Sequence, residues 1–183
     1  MKLPSVAQII LALVLVPGAS VLAPGWAGDL SRISDLGPPE PGFSHAAGGG
    51  GGSGSRADVI QIGDGNSATV DQQGLNHQSW SKQTGARNEL AVRQAGSLNS
   101  VNAMQNGTGN TADLSQDGTR NTIDLVQDGT SNAVVIHQSG AGDRASVEQM
   151  GHGNQASITQ SGSGARATLR QSGNNNTARI VQF

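Results

Sequence analysis

Residues 105–127 read QNGTGNTADLSQDGTRNTIDLVQ, and this stretch decides the fold because it contains two successive copies of one eleven-residue unit. In the first copy Gln105 is followed two residues later by Gly107 and five residues later by Asn110, and all three types recur eleven residues on. A repeated unit determines the architecture of a chain more directly than any single element does. The unit is Gln-x-Gly-x-x-Asn-x-Ala-x-Val-x, in which Ala and Val stand for small or branched apolar residues.

The same columns run through the whole region from Arg56 to Phe183. Glutamine recurs every eleven residues without a slip at Gln61, Gln72, Gln83, Gln94, Gln105, Gln116, Gln127, Gln138, Gln149, Gln160, Gln171 and Gln182. The glycine column consists of Gly63, Gly74, Gly85, Gly96, Gly107, Gly118, Gly129, Gly140, Gly151, Gly162 and Gly173. The asparagine column consists of Asn66, Asn88, Asn99, Asn110, Asn121, Asn132, Asn154 and Asn176, with His77, Asp143 and Ala165 as its exceptions.

The spacing inside the unit predicts β-strands rather than helices. An eleven-residue period also suits a right-handed coiled coil. However, the patterned positions lie five, seven, nine and eleven residues after each glutamine, which is a strict alternation. A glycine in every third turn of a helix would also cost about 1 kcal/mol each. Each unit is therefore expected to be a short strand and a turn, with Ala68, Val70 and Gln72 on an inner face.

The aligned columns favour stacked parallel coils over sequential hairpins, because only parallel stacking places each Gln over a Gln and each Asn over an Asn. Two units would form one coil of 22 residues, so the sequence predicts an all-β fold, a β-solenoid of about six coils. At about 4.8 Å per layer the block would be roughly 30 Å tall. Its two sheets would lie about 10 Å apart, which suits small and branched side chains.

The amide columns also predict self-association. A buried amide without partners costs about 1–3 kcal/mol, so each Gln and Asn is expected to bond its copies one layer above and below. The glycine column is expected to supply turn conformations that other residues avoid. The pattern continues through Gln182 without a capping element, and an uncapped solenoid can extend head to tail with copies of itself.

Composition excludes several classes of function. Hydrophobic residues make up 34% of the chain and aromatic residues 2%, and the chain has 27 glycines but no Tyr or Cys. A large aromatic core, a disulfide framework and thiolate chemistry are therefore excluded. The formal net charge of −2 provides no basic surface for phosphates, so nucleic acid is not expected as a partner.

Residues 1–27 are expected to be a secretory signal peptide. A basic residue precedes an apolar run at residues 9–16, which Pro17 ends, and small residues follow up to Ala27. The run is about half the length of roughly 20 residues that a membrane-spanning helix needs. Cleavage is expected after Ala27, with Ala23 as a second candidate.

Residues 28–55 are expected to be a flexible leader that precedes the repeat region at residues 56–183. Prolines occur at its start, and residues 48–55 read GGGGGSGS. Both compositions are typical of flexible tethers.

The repeat, seen as NTADLSQ at residues 110–116 and NQASITQ at residues 154–160, resembles that of the curlins, the subunits of bacterial curli fibres. The resemblance covers Arg56 to Phe183 and implies a structural subunit of extracellular functional amyloid fibres for adhesion and biofilm matrix. It also implies export through an outer-membrane channel with the help of chaperones, and polymerisation with itself and with another curlin subunit. Both the major and the minor, nucleating subunit type are open.

Residues with catalytic or metal-binding chemistry are scattered. The histidines His45, His77, His137 and His152 share no metal-ligand spacing and are expected to be solvated. Residues 151–156 fit a GxGxxA pattern but lie between strand units, so they are interpreted as a turn. The sequence therefore predicts no enzyme, no cofactor and no metal site.

The acidic residues of the repeats are expected at outward or turn positions, where they would keep unpaired strands apart before assembly; they include Asp113, Asp117, Asp124 and Asp128. A soluble β-solenoid that binds ice or carbohydrate is the alternative to a fibre subunit. The outward row from Thr69 to Arg179 is too mixed in residue type to match an ice lattice.

Overall fold

The computed structural model of the protein describes residues 8–14, 43–49 and 54–183. Fourteen β-strands and no helix are present among these residues. The strands are β1 (Gln8–Val14), β2 (Phe43–Gly49), β3 (Arg56–Ile62), β4 (Ser67–Leu75), β5 (Gln78–Ala86), β6 (Glu89–Ser97), β7 (Ser100–Thr108), β8 (Thr111–Thr119), β9 (Thr122–Thr130), β10 (Ala133–Ala141), β11 (Arg144–His152), β12 (Gln155–Ser163), β13 (Arg166–Asn174) and β14 (Thr177–Gln182).

The repeat strands form two parallel sheets between which the chain alternates. The even sheet has the order β4-β6-β8-β10-β12-β14, and the odd sheet has the order β3-β5-β7-β9-β11-β13. Each residue pairs with the residue 22 positions later, as Val92 does with Leu114 and Leu125 with Val147. One coil therefore consists of one odd and one even strand. The prediction of a β-solenoid with about six coils of 22 residues is confirmed.

The core lies between the two sheets and follows the predicted alternation. In β8, Ala112, Leu114 and Gln116 are buried, whereas the flanking Thr111 and Asp113 are exposed. The interior contains small and branched aliphatic residues together with the glutamines, and its largest apolar side chains are Leu and Ile. Closely spaced sheets leave room for these side chains, which explains the low aromatic content.

The column glycine is the penultimate residue of strands β4 to β13 and lies directly against the backbone of the next coil. Gly118 has a φ of 117°, a region that favours glycine. A Cβ atom at this position would collide with the carbonyl oxygen of Gly140 in the next coil. The same approach repeats from Gly63 to Gly151, so glycine is required there both for the backbone angle and for the layer spacing.

Two N-terminal strands lie at the edge of the first coil. β1 pairs antiparallel with β4, and β2 pairs antiparallel with β3. The predicted cleavage sites after Ala27 and Ala23, and most of the predicted leader, lie outside the described residues. None of the three described ranges contains a helix that is long and apolar enough to span a membrane.

Candidate self-assembly site

The twelve glutamines form two hydrogen-bonded ladders, one on the inner face of each sheet. In both ladders Nε2 donates to the Oε1 of the glutamine 22 residues later, over 2.6 Å from Gln61 to Gln83 and 2.9 Å from Gln94 to Gln116. Eleven of the twelve side chains are buried, and Gln182 is half-buried. Each amide in the middle of a ladder therefore satisfies the amides of the coils before and after it.

The glutamines also join the two sheets across the core, a role that the sequence analysis did not foresee. The second Nε2 hydrogen of Gln116 is donated to the carbonyl of Ser100 over 3.1 Å. Ser100 begins the preceding strand, and Gln105 makes the same bond to Glu89 over 3.0 Å. A buried Nε2 group thus has both of its hydrogens bonded, which removes the penalty for burying it.

One edge of the solenoid is lined only by asparagines, and we call it the asparagine corner: Asn66, Asn88, Asn110, Asn132, Asn154 and Asn176. At this corner Asn88 Nδ2 donates to the carbonyls of Thr84 (3.2 Å) and Gly107 (3.0 Å). Its Oδ1 accepts the backbone N–H of Asn110 over 3.1 Å. The asparagine therefore closes its own turn and bonds the backbone of the next coil.

The opposite edge contains every exception to the asparagine column, and we call it the mixed corner: Ser55, His77, Asn99, Asn121, Asp143 and Ala165. The exceptions alternate with regular asparagines in sequence, but the fold places all of them at one edge. Listing the odd and even units separately would have revealed this asymmetry from the sequence. The residue before the column position is in the left-handed region at both corners, even where it is Arg87, Leu98 or Arg120.

His77 contradicts the expectation that the histidines are solvated, because its side chain is fully buried at the mixed corner. The ring takes over two of the asparagine bonds. Nε2 lies 3.1 Å from the carbonyl oxygen of Gln73, and Nδ1 lies 3.3 Å from the backbone nitrogen of Asn99. Since the first partner is an acceptor and the second a donor, the hydrogen is on Nε2. His137 and His152 are exposed, as expected.

Asp143 replaces a buried asparagine with a side chain that has one donor group fewer. Its Oδ1 accepts the backbone N–H of Ala165 over 2.9 Å, as an asparagine would. Its Oδ2 is buried and has no hydrogen-bond partner. In the register of the column, the two carbonyls that an amide would reach here are those of Ser139 and Gly162.

The two ends of the glutamine ladders are complementary. In the first coil the buried Oε1 atoms of Gln61 and Gln72 have no hydrogen-bond partner, although β1 and β2 cover the adjacent backbone. In the last coil Gln171 and Gln182 each donate one Nε2 hydrogen to a backbone carbonyl. Their other Nε2 hydrogen has no later coil within the described chain to bond. One end thus offers acceptors and the other end donors.

The outer faces of the sheets are mostly polar, with some exposed aliphatic side chains such as Val126 and Val135, and contain isolated ion pairs. Asp113, Asp117 and Asp124 are exposed, as predicted for outward positions. Arg170 donates two hydrogen bonds to Glu148 in the preceding coil, of 2.9 and 2.8 Å. These bonds and the charge of the carboxylate raise the pKa of Arg170 further above its ordinary value. Within the ranges that the structure describes, no three His, Asp or Glu side chains are grouped so that they could hold a metal ion.

Comparison with known proteins assigns these repeats to a family. The family model described as the curlin associated repeat matches residues 52–79, 85–118, 118–151, 140–173 and 151–183. No individual curated protein matches the chain. The matches cover most of the chain and nearly all of the solenoid, including every ladder glutamine except Gln83. The chain therefore belongs to the curlin family.

Proposed function

We propose that this protein is a structural subunit of an extracellular curli-type amyloid fibre, and that it polymerises by end-to-end stacking of its solenoid. Such fibres would serve adhesion and the biofilm matrix on the bacterial surface. The role is structural, as the repeat family and the fold indicate. Export as a secreted chain through an outer-membrane channel, with chaperones, belongs to this proposal.

The complementary ladder ends are the observation that supports stacking most directly. If the last coil of one copy adds in register to the first coil of another, Gln171 faces Gln61 and Gln182 faces Gln72. Both free Nε2 hydrogens then meet both orphaned Oε1 atoms. Antiparallel strands at this edge leave those oxygens without partners, so a second copy would replace β1 and β2 there. β1 belongs to the predicted signal peptide.

Incubation of the full chain, and of the chain that begins at Gly28, tests the proposal. We expect a transition from soluble protein to fibres within hours, visible by electron microscopy and light scattering. Fibre diffraction should show the strand spacing of about 4.8 Å along the fibre axis. A chain that remains monomeric at high concentration, by light scattering after size exclusion, would contradict the proposal.

A nucleating role is the second candidate, and the strict spacing of the unit favours it, because every coil presents the same ladder register. A nucleator should shorten the lag of another curlin when it is added in substoichiometric amounts. A fibre subunit should instead be incorporated in proportion to its concentration. Labelled chain mixed with a second curlin distinguishes these outcomes.

A further inference from the structure

We infer that charge directs the stacking of this chain: an acidic first coil selects the basic last coil of a second copy. The inference rests on the proposed end-to-end stacking and names the residues that set its direction and register. The partner is another copy of this chain, presented by its opposite end.

The side chains of the two end coils have opposite net charge. The first coil, residues 56–75, contains one arginine and three aspartates, for a side-chain charge of −2. The last coil, residues 166–183, contains Arg166, Arg170 and Arg179 and no acidic side chain, for a side-chain charge of +3. A junction between opposite ends is therefore attractive, whereas two like ends repel each other.

The register of the glutamine ladders places these charges close together in both sheets. When Gln171 faces Gln61, Asp58 lies opposite Thr168, which is two residues from Arg166. When Gln182 faces Gln72, Asp71 and Arg179 lie on neighbouring strands and are likewise offset by two residues along the strand, which we call one row. Side chains one row apart on neighbouring strands are about 7–8 Å apart at Cα, within reach of an arginine.

Part of the end charge is engaged inside the subunit, since Arg170 pairs with Glu148 and Asp71 Oδ2 lies 3.9 Å from Arg93 Nε, but the rest is available. Arg166 and Arg179 make no ion pair with any residue of the described ranges, and Asp71 Oδ1 has no hydrogen-bond partner there. Asp58 pairs with Arg56, whose side chain is 74% exposed. At the junction between two copies, Arg56 would face Arg166. The attraction in the odd sheet therefore depends on Asp58, which lies between the two arginines.

Two charge-reversed variants of the full chain test the inference. The acidic-end variant is Asp58→Lys with Asp71→Lys, which changes the first coil from −2 to +2. The basic-end variant is Arg166→Glu with Arg179→Glu, which changes the last coil from +3 to −1. Matched controls place the same reversals in the middle of the solenoid: Asp113→Lys with Asp124→Lys, and Arg120→Glu with Arg144→Glu.

At low ionic strength each end variant should elongate its own seeds about tenfold or more slowly than wild type, because both junctions now join like charges. An equimolar mixture should recover elongation, since the two altered end coils (+2 and −1) then meet each other and the two unaltered end coils (+3 and −2) meet as in wild type. Fluorescence transfer between labelled variants should show that the two alternate. At 1 M salt, where the Debye length is about 3 Å, all chains should elongate at similar rates.

The inference is overturned if the end variants elongate as fast as the matched controls, or if mixing them restores nothing. It is also overturned if the mid-solenoid controls slow elongation to the same degree, because net charge rather than end charge would then decide the rate. Failure of wild type to form fibres at all would instead overturn the proposed function. The two failures are therefore distinguishable.

Discussion

Buried amides are tolerated in this core because protein groups replace water as their hydrogen-bond partners. Gln116 donates to Gln138 and to Ser100, and accepts from Gln94. The free energy of an unpaired polar group, about 1–3 kcal/mol, is thereby avoided in the ladders of the middle coils. Residues that depart from the pattern make fewer of these hydrogen bonds. Substitutions at those positions should therefore change the free energy of unfolding.

Asp143 is one such residue, and Asp143→Asn should stabilise the solenoid by about 1–3 kcal/mol. An amide at this position can donate to the carbonyls of Ser139 and Gly162, which the Oδ2 atom cannot do. The guanidinium midpoint of the β-sheet circular dichroism signal measures the change. The reverse substitution one coil earlier, Asn121→Asp, should lower the midpoint; equal midpoints for both variants and wild type would contradict the assignment.

Leu98 is a second departure, since it has a φ of 58° and its side chain is 43% exposed. Left-handed backbone costs a residue with a side chain about 1–2 kcal/mol. Leu98→Gly should therefore raise the unfolding midpoint. The increase should be slight, because glycine has greater conformational freedom in the unfolded chain. Gly109→Leu, at the equivalent position of the next unit, should lower it. A lower midpoint for Leu98→Gly would show that the leucine side chain makes stabilising contacts.

At the scale of the strand, we expect β5 to be the weakest layer of the core. Ser79 and Ser81 occupy inward positions that are aliphatic in the neighbouring strands β3 and β7. Both hydroxyls are buried and have no hydrogen-bond partner within the described residues. The layer thus buries less apolar surface and leaves two polar groups uncompensated.

The combined change Ser79→Ala and Ser81→Ala should stabilise the solenoid by about 1–3 kcal/mol for each hydroxyl removed. Amide hydrogen exchange in β5 should slow, while exchange in β9 stays as it is. The outward pair Ser115→Ala and Ser146→Ala serves as the control and should change stability by less than about 0.5 kcal/mol. Unchanged exchange in β5 would mean that the serines already have partners.

At the scale of the whole molecule, the position of a coil along the solenoid axis determines whether its ladder residues act mainly on stability or mainly on assembly. The middle coils have neighbours on both sides within the subunit, so their ladders are complete before any contact with another copy. The end coils have a neighbour on one side only. Ladder residues at the end of the solenoid should therefore matter more for elongation than for the stability of the soluble subunit.

Gln116→Leu and Gln182→Leu test this separation. Gln116→Leu should destabilise the soluble subunit by several kcal/mol, at about 1–3 kcal/mol for each partner left unpaired among Gln94, Gln138 and Ser100. Gln182→Leu should lower the unfolding midpoint less, because within the subunit it leaves only Gln160 Nε2 and the Arg166 carbonyl without a partner, but it should slow elongation of wild-type seeds about tenfold. Equal effects of the two variants on both readouts would exclude end-to-end continuity of the ladder.

The sequence alone was sufficient for the strand period, the inner face and the number of coils. These properties depend on the alternation of inward and outward residues within each unit and on the eleven-residue spacing of the glutamines from Gln61 to Gln182. The asparagine column lies in the turns, but the prediction that the glycine column does so was wrong, because these glycines are the penultimate residues of strands β4 to β13. His77 was misjudged because its chemistry was weighed as that of a lone histidine, not as a substitute for the asparagine of its column.

Only the tertiary structure decided what each amide bonds, whereas the division of the units between two edges follows from the 22-residue coil that the sequence predicts. Because two units form one coil, residues 22 apart become neighbours, and this pairing separates the asparagine corner from the mixed corner. The cross-core bonds of the glutamines join residues 16 apart, a spacing that no repeat in the sequence displays. The left-handed corner residues left only a partial sequence signal: six of the twelve are Gly and two are Asn, but closure of the coil imposes the same conformation on Arg87 and Leu98.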